Sequence, residues 1–151
     1  TIQRRRQAIE GLPRGPRDIN ELQIPAHFCQ TIDGRPFLLH ESGPDDENRF
    51  LMFSTRENIE CLRQHTNWFS DGTFHVVPLN FSQLYTIHSS IEGSVLPMVY
   101  TLMIGLKIPT DRGFNPTNVV VDLKRAAINA IWLIFPTAAL STCFFHLSQC
   151  I

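Results

Sequence analysis

Two aspartates beside apolar, strand-like runs are the residues of this chain best suited to chemistry. Asp71 interrupts Trp68-Phe69-Ser70-Asp71-Gly72-Thr73-Phe74, and Asp122 closes Val119-Val120-Val121. We expect both acids to lie at strand ends. An ionised carboxylate beside a buried strand is costly unless it is paired, hydrogen-bonded or bound to a metal. Because Mg²⁺ takes oxygen ligands from one or two carboxylates, the pattern predicts a divalent cation shared by Asp71 and Asp122.

Each acid also has an interpretation that needs no metal. Asp122 is a good N-cap for a helix that starts at Leu123, and this role is compatible with metal binding. Asp71, which precedes Gly72, is typical of a turn or a bulge. Sequence alone leaves these alternatives open.

The elements that would position the acids follow from the hydrophobic pattern. Aromatic and β-branched runs separated by turn residues predict an antiparallel three-strand meander at 69–77, 83–90 and 95–103. A short apolar strand at 119–121 is followed by an amphipathic helix over 123–135 and a further strand candidate at 138–145.

Upstream of the meander, the pattern predicts strands at 36–40 and 49–54 and a short helix capped by Thr55 that ends near Thr66. The complete order is typical of an α/β protein with a mixed sheet. It contains most of a ribonuclease-H-like fold, in which the two acids sit on the first and fourth strands.

Composition limits the size and class of the protein. The 151 residues, 43% of them hydrophobic, can bury one ordinary core. We divide the chain into an Arg- and Pro-rich linker or arm at 1–25, a lead-in at 26–66 and a partial catalytic domain at 67–151. With 13 Lys and Arg against 14 Asp and Glu, the net charge of −1 gives no argument for nucleic-acid binding by the whole molecule.

The four cysteines show no CxxC spacing, which favours a reducing compartment. The longest apolar stretches fall short of the roughly 20 residues that cross a bilayer, so we expect no membrane span. Because the chain starts at Thr1 and stops at Ile151 within an apolar segment, we expect it to be a piece of a longer protein.

Several motifs occur in a fixed order between roughly residues 25 and 151. They are Phe37-Leu38-Leu39, Arg49-Phe50-Leu51-Met52-Phe53, the run around Asp71, Phe81-Ser82-Gln83-Leu84-Tyr85-Thr86-Ile87-His88, Pro97-Met98-Val99-Tyr100, Phe135-Pro136 and Cys143-Phe144-Phe145-His146-Leu147-Ser148-Gln149. Together they resemble the transposase domain of Mutator-like elements, the MULE transposase domain. The first two resemble the lead-in of animal members, which can follow a FLYWCH-type zinc domain.

The resemblance implies a catalytic Asp, Asp, Glu triad that holds Mg²⁺ or Mn²⁺ and cuts and joins DNA strands. Asp71 would be the first acid and Asp122 the second, both catalytic and metal-binding. Cys143 and His146 match the family's Cys-x-x-His pair. The implied partners are transposon ends and target DNA, with self-association as a further expectation and no membrane. The implied localisation is nuclear, with the cytoplasm as the alternative.

Three departures from the family pattern predict that this chain is inactive alone. The chain stops before the position of the family's Glu. Asp122-Leu123-Lys124 replaces the usual Asp-Phe-Glu, which puts an ammonium near the expected metal. Only the 13 residues from Leu106 to Asn118, with two prolines and a glycine, connect the third strand to the fourth, where the family places a crossover helix. We therefore expect that helix to be missing and one sheet face to lose its cover.

Other readings of these residues remain. Cys143 and His146 fit a buried thiol and a capping imidazole, since a structural zinc site needs four ligands. Arg4, Arg5 and Arg6 fit phosphate contacts, a nuclear address or a solvated linker. For the whole chain, the alternatives to a transposase fragment are a non-catalytic DNA- or protein-binding module and a decayed remnant without a selected role.

Overall fold

A mixed β-sheet with two α-helices forms the described part of the molecule. The computed structural model describes residues 18–73, 77–105, 114–122 and 124–143. In these ranges the seven strands are β1 (Leu38–Glu41), β2 (Phe50–Phe53), β3 (Asn67–Thr73), β4 (Gln83–Ile91), β5 (Ser94–Met103), β6 (Asn118–Val121) and β7 (Ala139–Thr142). The helices are α1 (Arg56–Gln64) and α2 (Arg125–Ile134), and short 3-10 turns cover Ile19–Glu21 and Ala26–Phe28.

The strands lie in the order β1-β2-β5-β4-β3-β6-β7. All neighbours are antiparallel except β3 with β6 and β6 with β7, which are parallel. The predicted α/β class, the meander and the added parallel strands are therefore confirmed. The strands of the lead-in join the same sheet as the meander, because β2 pairs with β5.

One sheet face, which we call the helix face, carries both helices. Side chains alternate along a strand, so Trp68, Tyr85 and Val119 share this face. They form one buried cluster with Leu62 of α1 and Ile131 of α2. Burying this apolar surface stabilises the sheet and fixes both helices against it.

The opposite face, which we call the groove face, carries Phe53, Tyr100, Thr86 and Asp71 in one row across neighbouring strands. An apolar groove of about 510 Å³ runs along part of this face. Leu22, Ile24, Pro25 and Phe28, within or next to the segment predicted as a linker or arm, line the groove.

The predicted short helix is confirmed and begins as expected. Thr55 accepts a hydrogen bond from the backbone N–H of Asn58 at 3.2 Å, which satisfies one of the N–H groups that a helix start leaves without a partner. Leu62 is the residue of α1 buried most deeply.

Some predicted bounds differ or fall outside the described ranges. Asp71 lies inside β3, two residues before its last residue, so its expected position at a strand end was wrong. Most of the connection expected to lack a crossover helix, residues 106–113, is outside the described residues, and that expectation stays a prediction. Of the described helices, neither has the length and apolar character that crossing a bilayer would need.

Candidate functional site

The parallel pairing of β3 with β6 brings the two candidate acids to neighbouring strands. Trp68 pairs with Val119 and Phe69 with Val120. Two residues beyond the last of these pairs come Asp71, still within β3, and Asp122, just past the end of β6. Adjacent strands of a sheet lie about 4.8 Å apart. The topology therefore supplies the strand neighbours that a shared site needs.

Asp122 directly follows β6, as predicted, and is only 2% exposed. Its Oδ2 lies 2.9 Å from Nζ of Lys124. Its Oδ1 accepts a hydrogen bond from the backbone N–H of Lys124 at 3.4 Å. A buried carboxylate is tolerated when it is paired and hydrogen-bonded, and both conditions are met here by one residue.

Asp122 is not the N-cap of the following helix. The helix begins at Arg125, its N-cap is Lys124, and no side chain caps it. The carboxylate instead closes a short turn between strand and helix, in the manner of aspartates that bond to the backbone two residues ahead.

Lys124 contacts both Asp122 and Gly72. Its ammonium contacts the Asp122 carboxylate and also donates a hydrogen bond to the backbone carbonyl of Gly72 at 2.6 Å. The lysine therefore connects β3 to the turn after β6. The sequence predicted an ammonium near the expected metal, and the structure places the Lys124 ammonium against the Asp122 carboxylate.

Gly72 leaves space beside this pair. A Cβ at Gly72 would lie 3.5 Å from Nζ of Lys124, 3.7 Å from Oδ2 of Asp122 and 3.5 Å from Cδ2 of Tyr85, all ordinary contact distances. Asp122 therefore sits on the side of β3 that Gly72 faces, which is the helix face.

Asp71 projects from the other side of the same strand. It neighbours Gly72 in sequence, and strand alternation turns it to the groove face. Its Oδ2 accepts a hydrogen bond from the Thr73 hydroxyl at 3.3 Å, and its backbone carbonyl accepts one from Thr86 at 3.4 Å. The two acids thus come from β3 and from the end of β6, but the Asp71 side chain lies on the groove face and the Asp122 carboxylate lies beside Gly72 on the helix face.

The pKa of Tyr85 depends on both acids. The pKa of Tyr85 is raised to about 12, mainly by burial; the neighbouring Ser70 hydroxyl opposes this rise, and the negative charges of Asp122 and Asp71 add to it. The phenol therefore stays neutral at ordinary pH. The sequence indicated Tyr85 only as a core aromatic, although its position opposite Gly72 in the meander could have placed it near the acids.

These residues do not fit a divalent cation at Asp122 while Lys124 keeps its position. The ammonium already contacts Oδ2, and Oδ1 accepts from the backbone N–H of Lys124, so both carboxylate oxygens have a partner. Within the ranges that the structure describes, no group of three or more His, Cys, Asp or Glu side chains comes together as a ligand set. The cation shared by Asp71 and Asp122 stays a prediction of the sequence.

The structure describes only some of the other candidate site residues. Cys143 follows β7, is half-buried with a free thiol, and its backbone N–H donates to Val121 at 2.9 Å. His146 and the arginines Arg4, Arg5 and Arg6 lie outside the described residues.

Comparisons with protein-family models, with curated proteins and with solved structures gave no match.

Proposed function

We propose that this chain is a ribonuclease-H-like domain derived from a Mutator-like DNA transposase, in which a lysine has taken the place of the cation at the second acid. The observation that carries the proposal is the contact of Lys124 Nζ with Asp122 Oδ2 at 2.9 Å. In this state the domain does not cleave DNA. Its ancestral partner is DNA, and its expected location is the nucleus.

The strand order supports the ribonuclease-H-like part of the proposal. The meander of β3, β4 and β5 is followed by β6, which lies parallel to the first meander strand, and then by β7. This order brings the first and fourth strands of the pattern together. These are the strands on which the resemblance expects the two acids.

Electrostatics support the proposal that the domain does not cleave DNA. Strand transfer of this class relies on carboxylates that hold divalent cations against the reacting phosphate. An ammonium tethered through the protein backbone is always present at high local concentration and competes for the same carboxylate oxygen. The second hydrogen bond, to Gly72, holds the ammonium in that position.

A strand-cleavage assay with supercoiled DNA in Mg²⁺ or Mn²⁺ tests this proposal. We expect no nicking by the purified chain beyond that of Asp71→Ala, which serves as the matched control because it removes the first acid. Robust nicking that disappears in Asp71→Ala would overturn the inactive assignment.

The second candidate is a non-catalytic module that binds protein. The first partner to test is a second copy of the same chain. Two neighbouring apolar side chains on α2, Trp132 and Leu133, are 64% and 85% exposed. Exposed apolar groups of this size can mark contact surfaces. Sedimentation of the wild type as a dimer and of Leu133→Glu as a monomer would support this candidate, and a monomeric wild type would remove it.

A further inference from the structure

The segment Asp18–Phe28, which we call the strap, lies on the groove face of the sheet. Leu22 and Ile24 of the strap are half-buried and line the apolar groove, while Glu21 and Gln23 between them are exposed. This alternation is that of an extended chain with one apolar side. The strap therefore covers apolar sheet residues that would otherwise face water.

The sheet side of the groove is also apolar. Leu51, Phe53, Tyr100 and Leu102 contribute to it from β2 and β5. These side chains project away from the two helices, and the strap lies over this part of the face together with Phe37, Pro78 and Phe81. Covering them removes apolar surface from water and favours the closed strap.

Arg49 holds the strap to the sheet. Its guanidinium, only 3% exposed, donates to the backbone carbonyl of Leu22 at 3.0 Å and to that of Ile19, and it forms an ion pair with Glu41 of β1. The backbone hydrogen bonds in this part of the strap are internal, such as Leu22 N–H to Ile19 at 3.1 Å.

The other end of the strap is tied to β1 through the backbone. The carbonyl of Cys29 accepts hydrogen bonds from Phe37 at 2.8 Å and from Leu38 at 3.1 Å. The strap thus has one end tied through the backbone near Cys29. At its other end, among the described residues, Arg49 supplies the polar contacts to the sheet and Leu22 and Ile24 supply the apolar ones.

The hydrogen bonding of Arg49 is incomplete. Its Nε is buried and has no hydrogen-bond partner among the described residues. A buried donor without a partner costs free energy that is recovered when water reaches it. This cost opposes the closed state, so the closed strap is held less firmly than its charge-assisted bonds alone would make it.

We propose that the strap is a detachable cover: Arg49 latches it over the apolar groove, and release of the latch opens the strap about Cys29 while the sheet stays folded. The inference is independent of the ancestry of the domain, because it rests on the groove face and on contacts far from Lys124. It gives the protein a built-in means of exposing or hiding one apolar surface.

Hydrogen exchange read by mass spectrometry, together with binding of an apolar fluorescent dye, tests the proposal. In Arg49→Met we expect exchange of the strap amides to rise about tenfold or more, dye fluorescence to rise, and β3 to β6 to keep their protection. The matched control is Arg35→Met, because Arg35 also forms ion pairs but is half-exposed and lies outside the strap.

A second variant keeps the test decisive if Arg49→Met fails to fold. Ile24→Asp places a carboxylate against the groove and opens the strap from its own side, without leaving Glu41 unpaired. We expect the same local rise in exchange. Strap amides as protected as in the wild type in the folded variants, or exchange that rises equally in the strap and in β3 to β6, would overturn the proposal.

Discussion

Lys124 and Asp122 form an ion pair of unequal burial. The carboxylate side chain is 3% exposed and the lysine side chain 44%, with Nζ and Oδ2 2.9 Å apart. The lysine can therefore reach its position from solvent, whereas the aspartate has no comparable access to water. Loss of the lysine leaves a buried charge, and loss of the carboxylate leaves a cation that can turn to water.

This difference in burial predicts that replacing Lys124 and replacing Asp122 lower the free energy of unfolding by different amounts. Lys124→Met should lower the free energy of unfolding by about 2–3 kcal/mol, because Asp122 then stays buried without its partner. Asp122→Asn should cost less, since the freed ammonium can be hydrated. Urea denaturation of both single variants and the double variant gives the coupling energy, and equal single costs with no coupling would contradict the pairing.

Gly72 should tolerate a small side chain and reject a large one. Gly72→Ala places a methyl group at ordinary contact distances from Lys124, Asp122 and Tyr85. We therefore expect a change of less than about 1 kcal/mol in unfolding free energy. Gly72→Leu should displace the lysine and destabilise by about 2 kcal/mol or more. Thermal denaturation of the two variants checks this, and similar melting temperatures would refute it.

The raised pKa of Tyr85 predicts that the protein loses stability in strong alkali. Its pKa in the folded chain is raised to about 12, above that of an unfolded tyrosine. The unfolded state therefore loses the phenolic proton first, and stability falls as the pH rises from about 10 to 12, by on the order of 2 kcal/mol.

The difference between wild type and Tyr85→Phe isolates this effect from other groups that titrate in the same range. Denaturation curves at several alkaline pH values should show a steeper decline for the wild type. Parallel declines in the two proteins would mean that Tyr85 does not carry the effect.

The hydrogen bond at the start of α1 predicts that replacing Thr55 lowers stability modestly. Thr55→Ala removes the hydrogen bond to the N–H of Asn58 and should cost about 1 kcal/mol. Thr55→Ser keeps the hydroxyl and serves as the control, with most of the stability retained. Chemical denaturation distinguishes the two, and an equal loss in both would assign the effect to the lost methyl group instead.

The sequence predicted the sheet well because strand periodicity is local. The runs around Phe69, Gln83, Val95 and Val119 all became strands in the expected order. The parallel pairing of β3 with β6 does not follow from the order of strands along the chain alone, and it was predicted by analogy with the ribonuclease-H-like pattern. The helix after Asp122 begins later than predicted, since Asp122 bonds to Lys124 in a turn and does not cap the helix.

The site was less predictable because it depends on contacts between distant residues. The hydrogen bond from Lys124 to the carbonyl of Gly72 spans 52 positions, and no side-chain pattern reports a backbone acceptor. The different directions of Asp71 and Asp122 were not readable from the sequence, because the pairing of Phe69 with Val120, if continued, would turn both acid side chains to the same face. The contact of the strap with the groove was not predicted, because the prolines and glycines of residues 1–25 hide the alternation of Leu22 and Ile24.

Manganese binding tests the central claim most directly, because Mn²⁺ in solution gives an electron paramagnetic resonance signal that is lost on specific binding. With Lys124 occupying Asp122, we predict that the wild-type chain leaves the Mn²⁺ signal unchanged and behaves like Asp122→Asn. Uptake of Mn²⁺ by the wild type that Asp122→Asn abolishes would contradict the account.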